Sequence, residues 1–375
     1  MGIRISIFCQ VAQLSNRRFQ TDWSISISMN TLQTQKTPSI IIPRNRESKD
    51  LKMPNKPPSP PMPWMACIQV GFLMAATDAA RRQDGTVNRF LLSIIEPKTS
   101  ANQKPIARVR TSDVTIDPTR NLWVRIFAPS DPVKDEKLPL VIHFHGGGFT
   151  FFSAATGPND VLGRRVCREI RAVVLSVSYR LAPEYKCPAP YDDGVDVLRF
   201  LDSGGIQSVE ILTGLDLDLG SCFLTGDSAG GNIIHHVARR WAASLDSWEK
   251  VRIKGIVALQ PYFGGEERTK AELRLEGVPV VSMKRADWGW KVFLPEGADR
   301  NHEAAHVFSD EVEEAFPAAM VVVGGYDPLQ DWQKRYYEML KAQRKDARLV
   351  EYPDAIHGFY VFPDFVQSGQ VIEEM

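Results

Sequence analysis

Residues 221–241 read SCFLTGDSAGGNIIHHVARRW: a short apolar run, a glycine-rich turn and an amphipathic segment. The turn at residues 226–230 (GDSAG) fits the pattern G-x-S-x-G, which would put Ser228 on a strained bend between a strand and a helix. Small residues flank such a serine because the backbone has to bend sharply there. After the turn, apolar residues recur at helical spacing. The stretch therefore predicts a strand, a nucleophile turn and a helix, which is the context that acyl transfer on a serine requires.

A second glycine motif, HGGG at residues 145–148, directly follows the apolar run at residues 138–144. It matches the oxyanion-hole loop that lies opposite such a nucleophile turn and stabilises the negative charge of the tetrahedral intermediate. A glycine-rich turn in an ordinary α/β protein explains either motif alone. Both motifs together, in this order and each at the end of a strand-like run, favour acyl-transfer chemistry.

A serine hydroxyl becomes a good nucleophile only when a base takes its proton, so a histidine oriented by a carboxylate is required. With this type of turn the chain order is serine, acid, histidine. His235 and His236 lie on the helix after the turn and point away from it, whereas His357 follows the strand-like run at residues 348–352. Because open α/β sheets place their sites at the carboxyl ends of strands, we predict that His357 is the base.

The acid is expected at the end of another strand. Residues 318–323 (AAMVVV) are typical of a buried strand, and the turn that ends this run contains Asp327. We predict that Asp327 orients His357. Asp331 and Asp354 are the alternatives, although a charge on a helix face and a turn former explain these two residues more simply.

Strand-like and helix-like runs alternate along the rest of the chain, which predicts a mostly parallel sheet with helices on both faces. The runs are strands at residues 172–177 and 251–260 and helices at residues 193–201 and 332–343. Residues 109–116 and 122–128 predict an antiparallel start to the sheet.

From about Pro63 onward the chain resembles the hormone-sensitive-lipase group of α/β-hydrolases, and within it the plant carboxylesterases related to the gibberellin receptor. The resemblance rests on short matching stretches at residues 82–89, 145–149, 179–184, 191–194, 226–232, 327–329 and 357–359. It implies an α/β-hydrolase fold and the activity of a carboxylesterase, a serine hydrolase with the triad Ser228, Asp327 and His357.

The resemblance also implies the parts that surround this triad. The oxyanion donors would be the backbone N–H groups of Gly147, Gly148 and Ala229, and we include Gly146 in the same hole. A helical lid at about residues 63–87 would cover the acyl pocket. We expect a pocket of moderate size that takes short-chain or aromatic esters, lined by Phe149, Asp227, Trp288 and Trp290.

A non-catalytic small-molecule binding protein like the gibberellin receptors is the alternative function. The resemblance implies that such receptors lack the catalytic histidine, whereas this chain has His357. The receptors have serine where this chain has Gly148. They also have Asp-Arg-Asp-Trp-Tyr-Trp where residues 285–290 read RADWGW. Since Ala286 and Gly289 replace the arginine and tyrosine that help to hold the hormone, these differences favour an enzyme.

A zinc site is a second alternative, because residues 302–306 (HEAAH) fit the pattern H-E-x-x-H. That chemistry requires both histidines on one helix face and a third ligand. The preceding residues, 294–301, are typical of a loop, and no third ligand lies close by in sequence. We therefore interpret His302 and His306 as solvated loop histidines and predict neither a metal nor an organic cofactor.

The composition is that of an ordinary globular protein: 375 residues, 43% of them hydrophobic, with 45 basic and 45 acidic residues. This balance gives no electrostatic reason to bind nucleic acid or an acidic membrane. Five cysteines without paired spacing favour reduced thiols: Cys9, Cys67, Cys167, Cys187 and Cys222. We expect a small-molecule ester as the partner, no membrane span, and a cytoplasmic location, with the nucleus as an additional compartment left open.

The N-terminal region has a different composition. Residues 1–46 contain six basic residues and one acid, Asp22, which is loosely typical of an organelle transit peptide, and residues 54–63 are rich in proline. We expect an extension at residues 1–62, with a start at Met53 as the simpler interpretation and a plastid location as the alternative. The α/β-hydrolase domain would then span residues 63–375, with a shortened C-terminal helix.

Overall fold

The computed structural model describes residues 59–309 and 311–375. Eight strands form its central sheet: β1 (Val109–Asp117), β2 (Leu122–Pro129), β3 (Lys137–Phe144), β4 (Val173–Ser178), β5 (Asp216–Asp227), β6 (Ile253–Leu259), β7 (Ala318–Tyr326) and β8 (Ala347–Ile356). Their order in the sheet is β1-β2-β4-β3-β5-β6-β7-β8. β2 pairs antiparallel with β1 and β4. All other pairs are parallel, so the predicted sheet with its antiparallel start is confirmed.

Nine α-helices connect and cover these strands in the described part of the chain. They are α1 (Trp64–Ala80), α2 (Arg89–Ile95), α3 (Gly157–Val166), α4 (Ala189–Asp202), α5 (Ala229–Ala242), α6 (Lys270–Arg274), α7 (Met283–Phe293), α8 (Gln330–Ala342) and α9 (Val366–Glu373). No described helix is long and apolar enough to cross a membrane.

Alternation of side chains along the strands divides the apolar core into two layers. On β3, Leu140 and Ile142 belong to one buried cluster and Val141 belongs to the other, because successive side chains point to opposite faces. α4, α5 and α8 contribute to the first cluster, whereas α1, α3 and α9 contribute to the second. The predicted α/β-hydrolase architecture, with helices on both faces of a mostly parallel sheet, is confirmed.

The boundaries differ from the predicted ones mainly where glycine or proline disturbs the pattern. α4 begins at Ala189, before the predicted residue 193, because Pro190 is tolerated in the first turn of a helix. α5 begins at Ala229, directly after the serine, although Gly230 and Gly231 carry no apolar signal in the sequence. The predicted extension at residues 1–62 lies outside the described residues, apart from its last four.

Parallel strands bring distant loops to one edge of the sheet. β3, β5, β6, β7 and β8 are adjacent and all end on the same side, at Phe144, Asp227, Leu259, Tyr326 and Ile356. The segments that follow these five ends contain the predicted oxyanion loop, nucleophile, acid and base. The candidate site is therefore built at the carboxyl edge of the sheet, as open α/β sheets require.

Candidate active site

The predicted nucleophile turn connects β5 to α5. Ser228 has φ +53° and ψ −113°, a backbone conformation that costs free energy and that is found at functional sites. Its N–H donates to Leu259 O at 2.9 Å, and its carbonyl accepts from Tyr262 N at 2.8 Å. A Cβ on Gly230 would lie 1.8 Å from Phe144 O, so only glycine lets the helix approach β3 this closely. The turn therefore holds Ser228 rigidly at the end of the central strand.

The HGGG loop faces the same pocket. Gly147 has φ +102°, and a Cβ on it would lie 2.4 Å from Phe151 O. Within the described part of the chain, no acceptor takes the N–H of Gly147, Gly148 or Ala229. Gly147, Gly148 and Ser228 all line the pocket. Two loop N–H groups and the N–H that follows the serine are thus available to an oxyanion.

Gly146 is a correction to the predicted oxyanion hole. Its N–H donates to Asp227 Oδ1 at 2.9 Å, so this group is already occupied. Asp227 lies immediately before the nucleophile, and the bond ties the oxyanion loop to the nucleophile turn. Burial raises the pKa of the Asp227 carboxyl to about 7, while the Gly146 N–H and the nearby His357 act in the opposite direction. The Gly146 N–H therefore holds the HGGG loop on the nucleophile turn and is not available to an oxyanion.

Two buried histidines, His143 on β3 and His145 in the following loop, pack beneath the same region. Tyr179 Oη donates to His145 O at 2.7 Å, and the two rings stack with centroids 4.4 Å apart. His143 Nδ1 is 2.9 Å from Thr225 Oγ1. Burial lowers the pKa of His143 to about 3 and that of His145 to about 4, so both rings are neutral near pH 7.

The predicted acid and base meet across 30 residues of sequence. His357 Nδ1 is 2.7 Å from Asp327 Oδ2, and both side chains are buried. The Asp327 carboxylate also accepts from Leu329 N at 2.9 Å and from Gln333 Nε2 at 2.7 Å. This arrangement fixes the imidazole and leaves Nε2 as the ring nitrogen for proton transfer.

Asp327 contacts His357 in the structure, whereas the two alternative acids, Asp331 and Asp354, do not. Asp331 Oδ2 accepts from Ala271 N at 2.9 Å, and Asp354 is exposed. His357 and Ser228 line the same pocket, but no hydrogen bond joins their side chains in the described residues. Bonds of this kind often tighten only when a substrate is present.

Two glutamines were missed by the sequence analysis. Gln260 follows β6, where its Nε2 donates to Ile356 O at 3.2 Å and its Oε1 accepts from Gly358 N at 2.7 Å. These contacts hold the backbone on both sides of His357. Gln333 holds Asp327 from α8. The position of Gln260 at a strand end was an available signal, whereas Gln333 carries no signal in sequence.

The pocket wall is mainly apolar and comes from several parts of the chain. Its apolar members include Leu73 and Met74 of α1, Phe151 and Phe152 after the HGGG loop, Val280, Val281 and Trp288 in and before α7, and Val361 and Phe362 after β8. The predicted lid segment therefore contributes α1 to the wall. The predicted pocket residues Asp227 and Trp288 also belong to the wall.

Phe149 and Trp290 are corrections, because neither lines this pocket. Phe149 stacks on Phe293 with ring centroids 3.6 Å apart, and Trp290 stacks on Tyr262 at 4.2 Å. Both side chains are buried behind the pocket wall. On α7, Trp290 lies two positions after Trp288 and hence on the opposite side of the helix.

The HEAAH segment does not form a helix. Residues 302–306 lie in turns, His302 Nδ1 accepts from Ala304 N at 3.1 Å, and the His306 ring packs edge-on against Phe308 at 5.0 Å. Both histidines are half-buried and lie outside any helix. Across residues 59–309 and 311–375, no group of three histidine, cysteine, aspartate or glutamate side chains could hold a metal ion.

Comparisons with known proteins agree with the fold. The family model described as alpha/beta hydrolase fold matches residues 141–361. A gibberellin receptor of Arabidopsis thaliana is 37% identical, over 84% of this chain and 93% of its own length. Carboxylesterase 20 of Arabidopsis thaliana is 31% identical, over 72% of this chain and 84% of its own. A hyperthermophilic esterase from the archaeon Pyrobaculum calidifontis superposes with a TM-score of 0.64 at 26% identity, covering 82% of this chain and 95% of that one. The chain belongs to the α/β-hydrolase family, in the group that contains both plant carboxylesterases and gibberellin receptors.

Proposed function

We propose that the protein is a carboxylic-ester hydrolase with Ser228 as nucleophile, His357 as general base and Asp327 as the orienting acid. The observation that carries this proposal is the buried 2.7 Å contact between His357 Nδ1 and Asp327 Oδ2 beside the pocket that contains Ser228. A protein that only binds a ligand has no need of an oriented base next to a strained serine. This combination therefore favours catalysis over binding alone.

The reaction follows from the positions of these groups. Ser228 Oγ attacks the ester carbonyl while His357 Nε2 takes its proton, and the N–H groups of Gly147, Gly148 and Ala229 bind the resulting oxyanion. His357 then gives the proton to the leaving alcohol, and an acyl group remains on Ser228. Water, activated by the same histidine, attacks this acyl-enzyme and releases the acid. The apolar wall suits short-chain or aromatic esters.

The direct test measures hydrolysis of nitrophenyl esters of increasing acyl length by the full chain. Ser228→Ala should lower kcat by several orders of magnitude, because members of a triad act as a unit. Ser244→Ala is a matched control, since Ser244 is exposed at the end of α5 and lies outside the pocket. A fluorophosphonate probe should label Ser228. Full turnover by Ser228→Ala, or labelling of a different serine, would contradict the proposal.

Gibberellin-receptor-like binding remains the second candidate function, because a receptor is among the relatives that match most of the chain. The pocket argues against it at two positions that correspond to hormone-contacting residues in the receptors. Ala286 and Gly289 line the wall here, and a Cβ on Gly289 would lie 2.9 Å from Tyr262 Oη. That hydroxyl donates to Ala286 O at 2.6 Å, so a tyrosine at position 289 would have to displace it.

Calorimetric titration with a bioactive gibberellin separates the two functions. We expect no binding at micromolar concentrations, and His357→Val should lose turnover without gaining affinity for the hormone. Binding at micromolar or lower concentration would reverse the ranking of the two functions.

We further propose that the hydrolase domain spans residues 63–375 and acts in the cytoplasm. Three cysteines in the described part of the chain are free thiols: Cys167, Cys187 and Cys222. Burial raises the pKa of Cys167 and Cys222 to about 12, so both are inert near pH 7. Fluorescence imaging of the tagged full chain would test the location.

A further inference from the structure

Two arginines line the pocket that contains Ser228, although the rest of its wall is mainly apolar. Arg81 follows α1 and Arg285 lies in the first turn of α7. Their side chains are only 17% and 18% exposed. Guanidinium groups are rarely buried to this extent without compensating charge. The burial of these two positive charges beside the pocket has no role in the proposed ester hydrolysis and therefore requires another explanation.

The two guanidinium groups share one carboxylate. Both form ion pairs with Asp78, one with each carboxylate oxygen, and Asp78 is 48% exposed. Arg285 also donates to the carbonyls of Met74 at 3.1 Å and Val280 at 3.3 Å, and the Arg81 guanidinium lies 5.5 Å from the centre of the Trp288 ring. In the described part of the chain, neither arginine has another carboxylate within ion-pair distance. Two positive charges thus face one negative charge.

Both arginines are charged at neutral pH. Burial lowers the pKa of Arg285 to about 10, and burial together with the neighbouring Arg285 lowers that of Arg81 to about 10. The acid among the residues that line the pocket, Asp227, accepts from the Gly146 N–H beside the nucleophile turn. This end of the pocket therefore has an excess of about one positive charge in a mainly apolar setting, where a charge is costly unless it is paired.

We propose that Arg81 and Arg285 bind a carboxylate of the substrate, so that the preferred esters carry a free carboxylate remote from the ester bond. The planar guanidinium fork matches a carboxylate with two parallel hydrogen bonds. One carboxylate supplies the single negative charge that the pair lacks, whereas a phosphate would bring almost two. Apolar side chains such as Leu73 and Phe151 would contact the carbon chain between the two groups. This inference names the substrate class and rests on the proposed ester hydrolysis.

The first experiment measures binding without turnover. Ser228→Ala protein is titrated calorimetrically with monomethyl suberate, which carries an ester and a carboxylate, and with dimethyl suberate, its neutral counterpart. We expect the anionic ester to bind about 10- to 100-fold more tightly, the usual effect of hydrogen bonds to a charged group. Adding Arg285→Met should reduce this ratio to near one. Adding Arg82→Met should not change the ratio, because Arg82 is the exposed neighbour of Arg81 and lies outside the wall.

A substitution with the opposite expected effect separates loss of the positive charge from general damage to the lid. Asp78→Asn removes the shared carboxylate and leaves two unpaired guanidinium groups, so it should increase the preference for the anionic ester. Damage alone would weaken both ligands and would not increase the ratio. Equal affinity for the two esters in the Ser228→Ala protein, or a ratio that Arg285→Met does not change, would overturn the proposal.

The kinetic experiment separates failure of this inference from failure of the proposed function. The nitrophenyl monoester of suberate is compared with nitrophenyl methyl suberate, using the otherwise unmodified protein. A preference for the anionic ester in kcat/KM that weakens at high salt supports the inference. Ser228-dependent hydrolysis without that preference contradicts the inference alone. A carboxylate preference in binding without any hydrolysis contradicts only the esterase function.

Discussion

Asp327→Asn changes one atom of the carboxylate that accepts three N–H donors, from His357, Gln333 and Leu329. An asparagine has one accepting oxygen, so one face of the new amide must present an N–H₂ group. Gln333 Oε1 is buried without a partner and can accept from that group after rotation of its amide. We therefore expect the asparagine amide to face Gln333 and His357, with its oxygen toward Leu329.

In that arrangement His357 must place its proton on Nε2, so that Nδ1 can accept from the asparagine amide. The ring nitrogen next to Ser228 then carries a proton and cannot take another from the hydroxyl. Loss of the correct tautomer costs about 10³- to 10⁴-fold in kcat, or about 4–5 kcal/mol of transition-state stabilisation. The fold should persist, because the amide has the same shape as the carboxylate and its polar atoms still have partners.

Steady-state hydrolysis of nitrophenyl acetate measures the effect, and thermal unfolding shows whether the variant is folded. Asp354→Asn is the matched control, since Asp354 is an exposed carboxylate three residues before His357. It should keep full activity, and Asp331→Asn should keep most of it. If Asp327→Asn kept more than about a tenth of kcat, or if Asp331→Asn lost as much, the assignment of the acid would be refuted.

Three further predictions concern the surroundings of the triad. Gly147→Ala should reduce kcat by about 10²- to 10³-fold, because its Cβ would lie 2.4 Å from Phe151 O. Gly148→Ala should cost less, since a Cβ there meets no other atom and only the strain of φ +60° opposes it. A larger loss of kcat for Gly148→Ala than for Gly147→Ala would contradict this reasoning. Gln260→Leu removes the hydrogen bonds to the backbone on both sides of His357. It should therefore lower the free energy of unfolding by about 1–3 kcal/mol and also lower kcat. An unchanged denaturant midpoint together with an unchanged kcat would contradict this prediction. The pKa of Asp227 rises on folding to about 7 because of burial, so the unfolded chain ionises first and stability should fall as the pH rises from about 4 to about 7. Asp227→Asn should weaken this pH dependence. Denaturant unfolding of both proteins at pH 5 and pH 8 tests it, and an equal change in the free energy of unfolding between the two pH values would contradict the reasoning.

The sequence by itself determined the fold and the chemical identity of the central groups. The turn around Ser228 and the HGGG loop are short motifs, because the steric demands of a sharp bend act between neighbouring residues. Apolar periodicity similarly predicted a parallel sheet with helices on both faces, since two-residue and 3.6-residue repeats follow from local geometry. The position of His357 followed from the rule that sites form at the carboxyl ends of strands.

Only the tertiary structure decided which groups contact one another. The Gly146 N–H is occupied by Asp227, 81 residues away, and Gln260 contacts the backbone around His357 across almost a hundred residues. Arg285 joins Asp78 over 207 residues and thereby creates the charged end of the pocket. Such pairs depend on strand order and on the face of the helix that carries each side chain. No short-range pattern encodes these two properties, because they arise when the whole sheet assembles.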